Sequence, residues 1–157
     1  MSKIKVLGIE TSCDDTSIAV LEVDKENHNS FDILAFDTFS QETILKEWGG
    51  IVPEIAARNH LDKLAPLINK VLEDSKTKMN EISLIGVTTF PGLLGPLLTG
   101  LNAAKTISLL HKTPIVAVNH LYAHLEAVHI DNDITYPYLG LLVSGGHSLF
   151  TLVTSAT

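Results

Sequence analysis

Two histidines, His120 and His124, stand four positions apart in a stretch that we predict to be helical. Side chains at this spacing project from one face of a helix, so the two imidazoles are able to bind one divalent metal ion. Two ligands are too few, so a third must come from elsewhere. His129 is predicted to lie on another face. Position 121 is Leu where the zinc-peptidase signature H-E-x-x-H requires Glu, which argues against such a peptidase.

Two segments place small, hydroxylated or glycine residues in the turn of a predicted hairpin. The first spans residues 8–16, and the second runs through Leu142, Val143, Ser144, Gly145 and Gly146. Backbone amides and hydroxyls in such turns are able to bind an anion. For the first segment alone, a turn in which Asp and Ser bind their own backbone is the simpler interpretation. Ser144 lacks the G-x-S-x-G context of a hydrolase nucleophile.

Two further motifs leave function open. The glycines of residues 91–95 precede a predicted helix and would allow a ligand to approach the backbone, but an ordinary loop explains them equally well. His60 follows the Gly49-Gly50 pair on another predicted helix, where a capping or surface histidine and a functional one are about equally supported.

Composition limits the class of protein. The formal net charge of -7 argues against a broad basic surface for nucleic acid, so an RNA substrate would need a local patch or a partner. Cys13 is the only cysteine, and Asp14 and Asp15 should raise the pKa of its thiol and make it unreactive. The sequence shows neither an apolar run of ~20 residues nor a signal-peptide pattern, so we expect a cytoplasmic protein without membrane association.

Predicted strands and helices alternate in a way that would position these residues. An antiparallel meander is predicted over 3–11, 16–23 and 31–39, and the next helix should begin at Pro53 and be kinked by Pro66. Its buried stripe is predicted to contain Leu61, Leu64, Ile68, Val71 and Leu72. The remaining elements are predicted to be a strand at 82–89, a helix at 97–111, a buried strand at 115–118, a helix at 121–129, and a hairpin at 138–144 and 149–154.

This order is typical of a ribonuclease-H-like α/β fold, in which helices flank a mixed sheet. Actin, Hsp70 and the sugar kinases share this plan of two lobes with hairpin turns at the nucleotide phosphates. We predict that residues 1–134 form the N-terminal lobe. Residues 135–157 would form the first hairpin of a second, truncated lobe.

Five motifs, taken in order, resemble the TsaD family of tRNA N6-adenosine threonylcarbamoyltransferases, formerly called glycoproteases. They are GIETSCD at 8–14, GGIVPE at 49–54, PGLLG at 91–95, H-x-x-x-H at 120–124 and VSGGH at 143–147. Phe90 and Ser17 depart from the family pattern, which usually has Gly at the first position and Gly or Ala at the second. The resemblance implies transfer of a threonylcarbamoyl group from threonylcarbamoyl-adenylate to N6 of adenosine 37 in ANN-decoding tRNAs.

The resemblance also assigns expected roles. His120 and His124 match metal ligands, with iron or zinc as the metal, and the segment Leu142 to Gly146 matches a loop that meets the adenylate, supplied as threonylcarbamoyl-adenylate or as ATP or AMP. The cleft would be lined by Glu10, Thr11, Ser12 and Asp14. No catalytic residue is assigned. The third metal ligand and most nucleotide-binding residues belong to the second lobe, so these residues alone should be inactive.

The implied partners are tRNA, a TsaB-like paralogue, a TsaE-like ATPase if the source is bacterial, and a second copy in a homodimer. Two other functions remain as alternatives. A non-catalytic TsaB-like scaffold would lack the paired histidines, which therefore argue against it. A metallopeptidase, suggested by the older family name, would need the Glu that position 121 lacks.

Overall fold

A computed structural model describes residues 3–26, 30–144 and 148–155. They form two compact units, Met1–Val118 and Asn119–Thr157, and each unit is described by itself. The lobe boundary between residues 134 and 135 stays a prediction. None of the helices in the described part of the chain is long and apolar enough to cross a membrane.

The first unit is built on a five-stranded sheet in the order β3-β2-β1-β4-β5. Its strands are β1 (Lys3–Glu10), β2 (Thr16–Asp24), β3 (Phe31–Phe39), β4 (Ile82–Phe90) and β5 (Ile115–Asn119). β2 pairs antiparallel with β1 and with β3, whereas β4 pairs parallel with β1. The predicted meander and the mixed sheet are therefore confirmed.

Apolar side chains from the central strands form the core of this unit. Leu7 and Ile9 of β1 and Ile18 and Val20 of β2 are all buried, at alternating positions as one face of a sheet requires. β5 was predicted to be buried, and that prediction is wrong, because β5 is an edge strand and Val116 is 48% exposed.

Helices α1 (Glu42–Lys46) and α2 (Pro53–Asp74) follow the meander. α2 begins at Pro53 as predicted, since proline suits the first turn, where its missing N–H costs no intrahelical bond. The helix continues through Pro66. Its buried side chains are Ala56, His60, Leu64, Leu67, Ile68 and Val71. Leu61 was predicted to be buried and is instead 69% exposed, because the neighbouring His60 takes the inward position.

Helix α3 (Leu94–His111) begins three residues before the predicted start at Leu97. Pro96 fits inside its first turn, where backbone N–H groups lack helical partners. Gly95 allows α2 and α3 to pack closely, because a Cβ at this position would lie 3.0 Å from the Cβ of Ala57. The helix ends at His111 as predicted, and Lys112 follows in the left-handed conformation with φ 57°.

The second unit contains helix α4 (His120–Glu126), a 3-10 turn (Ala127–Ile130) and a hairpin of β6 (Tyr138–Val143) and β7 (Ser148–Val153). The predicted helix at 121–129 is thus α-helical only as far as Glu126. β6 packs closely on α4 at Gly140, where an added Cβ would lie 2.6 Å from Leu125 Cδ2. The hairpin pairs Leu139 with Leu152 and Leu141 with Phe150.

Candidate functional site

The first hairpin turn, residues 11–15, joins β1 to β2 and carries three predicted substrate contacts, and the fourth, Glu10, is the last residue of β1. The Glu10 carboxylate accepts a hydrogen bond from the backbone N–H of Ser12. Thr11 donates from Oγ1 to the carbonyl oxygen of Pro96 at 2.8 Å. The side chains of Thr11 and Ser12 are buried, at 1% exposure each, whereas Glu10 and Asp14 are half-buried. The side chains of Glu10 and Asp14 are therefore more accessible to a ligand than those of Thr11 and Ser12.

The PGLLG motif, which forms the β4–α3 loop and the first two residues of α3, packs directly on this turn. The N–H of Leu93 donates to the carbonyl oxygen of Ser12 at 2.8 Å. A Cβ at Gly92 would lie 2.8 Å from Ser12 Cβ, and a Cβ at Gly100 of α3 would collide with Thr11 Oγ1. Glycine is required at both positions because the hairpin turn occupies the space of a side chain.

His60 of α2 supports the same turn and is wholly buried. Its Nδ1 lies 2.7 Å from Thr16 Oγ1 and its Nε2 lies 3.1 Å from the carbonyl oxygen of Cys13. Because a carbonyl only accepts hydrogen bonds, the proton is on Nε2, and Nδ1 accepts from the Thr16 hydroxyl. Burial lowers the pKa of His60, although the Cys13 carbonyl opposes the shift, as do nearby carboxylates.

Of the two interpretations, that of a surface or capping His60 is therefore wrong. A signal for burial was present in the sequence, since Ala56, His60 and Leu64 repeat every four residues on the buried stripe of α2. The partners of the imidazole, Cys13 and Thr16, are more than forty positions away and could not be identified from that pattern.

Cys13 is half-buried in the turn. Burial raises the pKa of its thiol, and the neighbouring Asp14 carboxylate adds to the increase. The prediction of a raised thiol pKa is confirmed, with burial as the larger cause. A thiol of this kind is a poor nucleophile at neutral pH.

The histidine pair lies at the start of α4. The Nε2 atoms of His120 and His124 are 3.2 Å apart, and the rings meet edge to face with centroids 4.5 Å apart. Asn119 caps the helix, and its side chain accepts from the N–H groups of Leu121 at 2.9 Å and Tyr122 at 3.1 Å. The predicted common face is therefore present, and the metal role stays a prediction.

No further metal ligand is found near the pair in the described ranges. Within residues 3–26, 30–144 and 148–155, no group of three or more His, Cys, Asp or Glu side chains is arranged to hold a metal ion. The expectation that a third ligand comes from the second lobe stays a prediction.

A carboxylate on α4 connects the helix to the strand that follows it. Glu126 accepts hydrogen bonds from the hydroxyls of Tyr136 at 2.8 Å and Tyr138 at 3.2 Å, and Tyr138 also contacts the Leu125 carbonyl oxygen at 3.1 Å. The His129 ring packs against both tyrosines, away from the pair as predicted. Burial and the Glu126 carboxylate raise the pKa of Tyr136 to about 12. No pattern in the sequence predicted this cluster.

The second predicted substrate segment begins at the end of β6. Leu142 pairs with Leu149, and Val143 pairs with Ser148 as the last pair of the ladder. Ser144 follows the strand, while Gly145 and Gly146 lie outside the described residues. Val143 is 71% exposed. Contact of this segment with a ligand stays a prediction.

The fold and the paired imidazoles define a ribonuclease-H-like α/β protein with a candidate metal centre. The chain is similar in structure to YeaZ from Pseudomonas aeruginosa, with a TM-score of 0.57 and 12% identity over 98% of this chain and 68% of that chain. At this identity the likeness shows the fold alone, and the predicted fold class is confirmed.

Sequence comparison then identifies the family. The sequence model described as "TsaD: tRNA N6-adenosine threonylcarbamoyltransferase" matches residues 32–157. Proteins of that name from Brachyspira hyodysenteriae and Treponema denticola are each 44% identical to this chain, over 150 and 152 residues. These matches cover 96% and 97% of the chain. The chain belongs to the TsaD family, and it spans 42% and 43% of the length of these two relatives.

Proposed function

We propose that this chain contributes to an enzyme that transfers a threonylcarbamoyl group from threonylcarbamoyl-adenylate to N6 of adenosine 37 in ANN-decoding tRNAs. The observation that carries the proposal is the facing pair of imidazoles on α4, in a chain that belongs to a transferase family. Residues His120 and His124 would hold a divalent metal, and the two hairpin turns would bind the adenylate.

The separation of the two Nε2 atoms supports binding of a single ion. With metal–nitrogen bonds of about 2.05 Å, two ligands of one metal are about 3.3 Å apart in a tetrahedral site and about 2.9 Å apart at adjacent octahedral positions. The observed 3.2 Å lies between these values. We propose iron or zinc as the metal. When bound, it supplies Lewis-acid polarisation of a carbamoyl or phosphate oxygen.

The first turn would contact the adenylate, whether as threonylcarbamoyl-adenylate or as ATP or AMP. The half-buried carboxylates of Glu10 and Asp14 would accept hydrogen bonds from ligand hydroxyl or amino groups. Thr11 and Ser12 would contribute indirectly, because their buried side chains keep the backbone of the turn in place.

The second segment would act through its backbone. The ladder between β6 and β7 ends with the pair Val143 and Ser148, so the backbone amides from Ser144 through Gly145 to Gly146 follow the last strand pairing. Backbone amides of a glycine-rich segment are suited to a phosphate or carbonyl oxygen. Leu142 and Val143 would fix the position of the segment by strand pairing.

Positioning would dominate the chemistry. In the proposed reaction the N6 amine of adenosine attacks the carbamoyl carbon, the bond from that carbon to the phosphate oxygen breaks, and AMP leaves. The amine loses one proton in the process, and we assign no residue of this chain as its acceptor. Because the lone pair of the amine is delocalised into the ring, it is a weak nucleophile, and holding it near the carbamoyl carbon lowers the barrier.

The proposed partners are tRNA and a TsaB-like paralogue, joined by a TsaE-like ATPase if the source is bacterial. An apolar groove of about 530 Å³ between α2 and α3 supports a helical partner, and its lining includes Leu61, Leu64, Met79, Leu98 and Ile107. Leu61 is 69% exposed there, and Leu98 is 44% exposed. A second copy of the chain would suit the same groove. We propose that the reaction takes place in the cytoplasm.

The test uses the full-length protein and its His120→Ala/His124→Ala double variant. Metal content is measured by elemental analysis, and threonylcarbamoyl transfer to tRNA is measured with the partner proteins present. Loss of both metal and transfer in the double variant is the expected result. His111→Ala, which changes an exposed histidine at the end of α3, is the matched control and should retain both. Unchanged transfer in the double variant would contradict the proposed role of the pair.

A further inference from the structure

His60 is a buried polar side chain to which the proposed chemistry assigns no role. It is wholly buried, and both of its ring nitrogens lie within hydrogen-bond distance of the hairpin that joins β1 and β2. A buried imidazole needs hydrogen-bond partners for its ring nitrogens, and here both partners, Thr16 and Cys13, lie on one turn. The arrangement therefore indicates a specific relationship between α2 and this turn.

The two partners of the imidazole stand on either side of the acidic part of the turn. Nε2 donates to the carbonyl oxygen of Cys13 at 3.1 Å, and Nδ1 accepts from the hydroxyl of Thr16 at 2.7 Å. Between these residues lie Asp14 and Asp15. The ring thus connects both ends of the segment that presents the carboxylates.

The other half of the turn is held by different contacts. The Leu93 N–H bonds the Ser12 carbonyl oxygen, and the Thr11 hydroxyl bonds the Pro96 carbonyl oxygen. These contacts hold residues 11 and 12 only. Oδ1 of Asp15 is shielded from solvent and has no hydrogen-bond partner among the described residues, so this oxygen does not fix the second half.

We propose that His60 is a positioning residue that fixes the backbone from Cys13 to Thr16 and thereby orients the Asp14 carboxylate toward the adenylate ligand. The inference rests on the proposed function, because it assumes that the turn binds an adenylate. His60 itself does not touch the ligand and acts only through the two ends of the turn.

The experiment compares full-length variants by two measurements. The first is the affinity for AMP by calorimetry, and the second is hydrogen exchange of the amides of residues 12–16 without ligand. His60→Leu removes both hydrogen bonds and should weaken AMP binding about five- to tenfold, while exchange in the turn becomes faster. His60→Gln, whose amide is able to donate to the Cys13 carbonyl, should restore affinity to within about threefold of the original protein.

Two variants separate positioning from general destabilisation. Val71→Ala removes a fully buried side chain from the same helix, about three turns from His60, and should lower the melting temperature without changing AMP affinity or turn exchange. Thr16→Val removes only the partner of Nδ1 and should give a smaller effect in the direction of His60→Leu. It also serves as the test if His60→Leu does not fold.

The outcomes are distinguishable. Unchanged affinity and exchange in His60→Leu would overturn the positioning role, and so would an equal loss of affinity in Val71→Ala. Failure of the unaltered full-length protein to bind AMP would contradict the adenylate site of the proposed function instead. In that case the exchange measurement would still decide whether His60 holds the turn.

Discussion

Gly100 of α3 lies directly against Thr11, and a Cβ at position 100 would occupy space already taken by the Thr11 hydroxyl oxygen. The same hydroxyl donates to the Pro96 carbonyl oxygen, one helical turn earlier. Helix α3 therefore packs on the first hairpin turn at a distance that permits no side chain at position 100. A substitution at that position tests this packing.

Gly100→Ala should lower the free energy of unfolding by about 1–2 kcal/mol, because overpacking costs about 1–3 kcal/mol and the higher helix propensity of alanine returns part of it. Gly86→Ala is the matched control, since its Cβ would meet Val118 Cγ2 at an ordinary 3.6 Å. Chemical denaturation measures the free energy of unfolding of both variants. Combining Gly100→Ala with Thr11→Ala should cost less than the sum of the single changes. If the losses in unfolding free energy of the two single variants simply added, the Cβ at position 100 would not collide with the Thr11 side chain.

The lowered pKa of His60 predicts a dependence of stability on pH. The unfolded chain binds a proton near the ordinary histidine pKa of 6.5, whereas the folded protein binds it only at lower pH. The contribution of His60 is therefore complete above pH 6.5 and is lost as the pH falls through the folded pKa. The carboxylates of Glu10, Asp14 and Asp15 act against this shift without reversing it.

The measurement for this second prediction is the denaturation midpoint from pH 7.5 to 5 in the original protein and in His60→Gln. Other histidines titrate in both proteins, so the difference between the two curves isolates His60. We expect the original protein to lose stability more steeply below pH 6.5. Parallel curves would show that burial does not lower the pKa of this imidazole.

Glu126 should affect metal binding although it is not placed as a ligand. Its hydrogen bonds from Tyr136 and Tyr138 connect α4 to the start of β6 and so hold the helix that carries the histidine pair. Glu126→Leu should weaken Zn²⁺ binding by less than the roughly tenfold that losing a group bonded directly to a metal ligand costs, because Glu126 acts only through the position of the helix. Glu126→Gln keeps an acceptor oxygen for the two tyrosine hydroxyls and should therefore lose less Zn²⁺ affinity than Glu126→Leu.

Competition with a chelator of known affinity measures this third prediction in the full-length protein. Exposed Glu73 at the end of α2 provides the control variant Glu73→Gln, which should leave Zn²⁺ affinity unchanged. Equal affinities for Glu126→Leu and the original protein would mean that the tyrosine cluster stabilises the second unit without influencing the histidines.

The exposed side chain of Leu61 marks the groove where we expect a helical partner to bind. Because it is 69% exposed beside the groove between α2 and α3, Leu61→Gln should change the stability of the isolated protein by less than about 0.5 kcal/mol. Loss of an apolar contact should weaken binding of the TsaB-like paralogue, measured by calorimetry. Leu109→Gln, an equally apolar change at a position 83% exposed on α3 and outside the groove lining, is the control. An equal effect of the two changes would argue against the groove.

Local patterns were sufficient for much of the fold. Alternating apolar residues identified the three strands of the meander, and Pro53 marked the first residue of α2 because proline suits that position. The histidine pair followed from helical spacing alone, since residues four apart share a face. These features depend on neighbours within one element, which is the information a single sequence carries.

The predictions were wrong where segments far apart in the chain determine which side chains are buried. His60 rather than Leu61 points inward because Cys13 and Thr16, which lie far away in the chain, supply its hydrogen bonds. Val116 is exposed because β5 lies at the edge of the sheet, a fact of strand order rather than of its own residues. The tyrosine contacts of Glu126 likewise depend on how β6 packs on α4.

The first hairpin turn has a consequence for the order of folding. Its contacts come from segments far along the chain, with 47 positions between Cys13 and His60 and 85 between Thr11 and Pro96. Contacts of such separation form late, because closing long loops costs entropy before any bond compensates. A nascent chain that has made only its first hairpin thus carries the acidic motif without its final shape. Ligand binding at this turn would then report that α2 and α3 have packed on the hairpin.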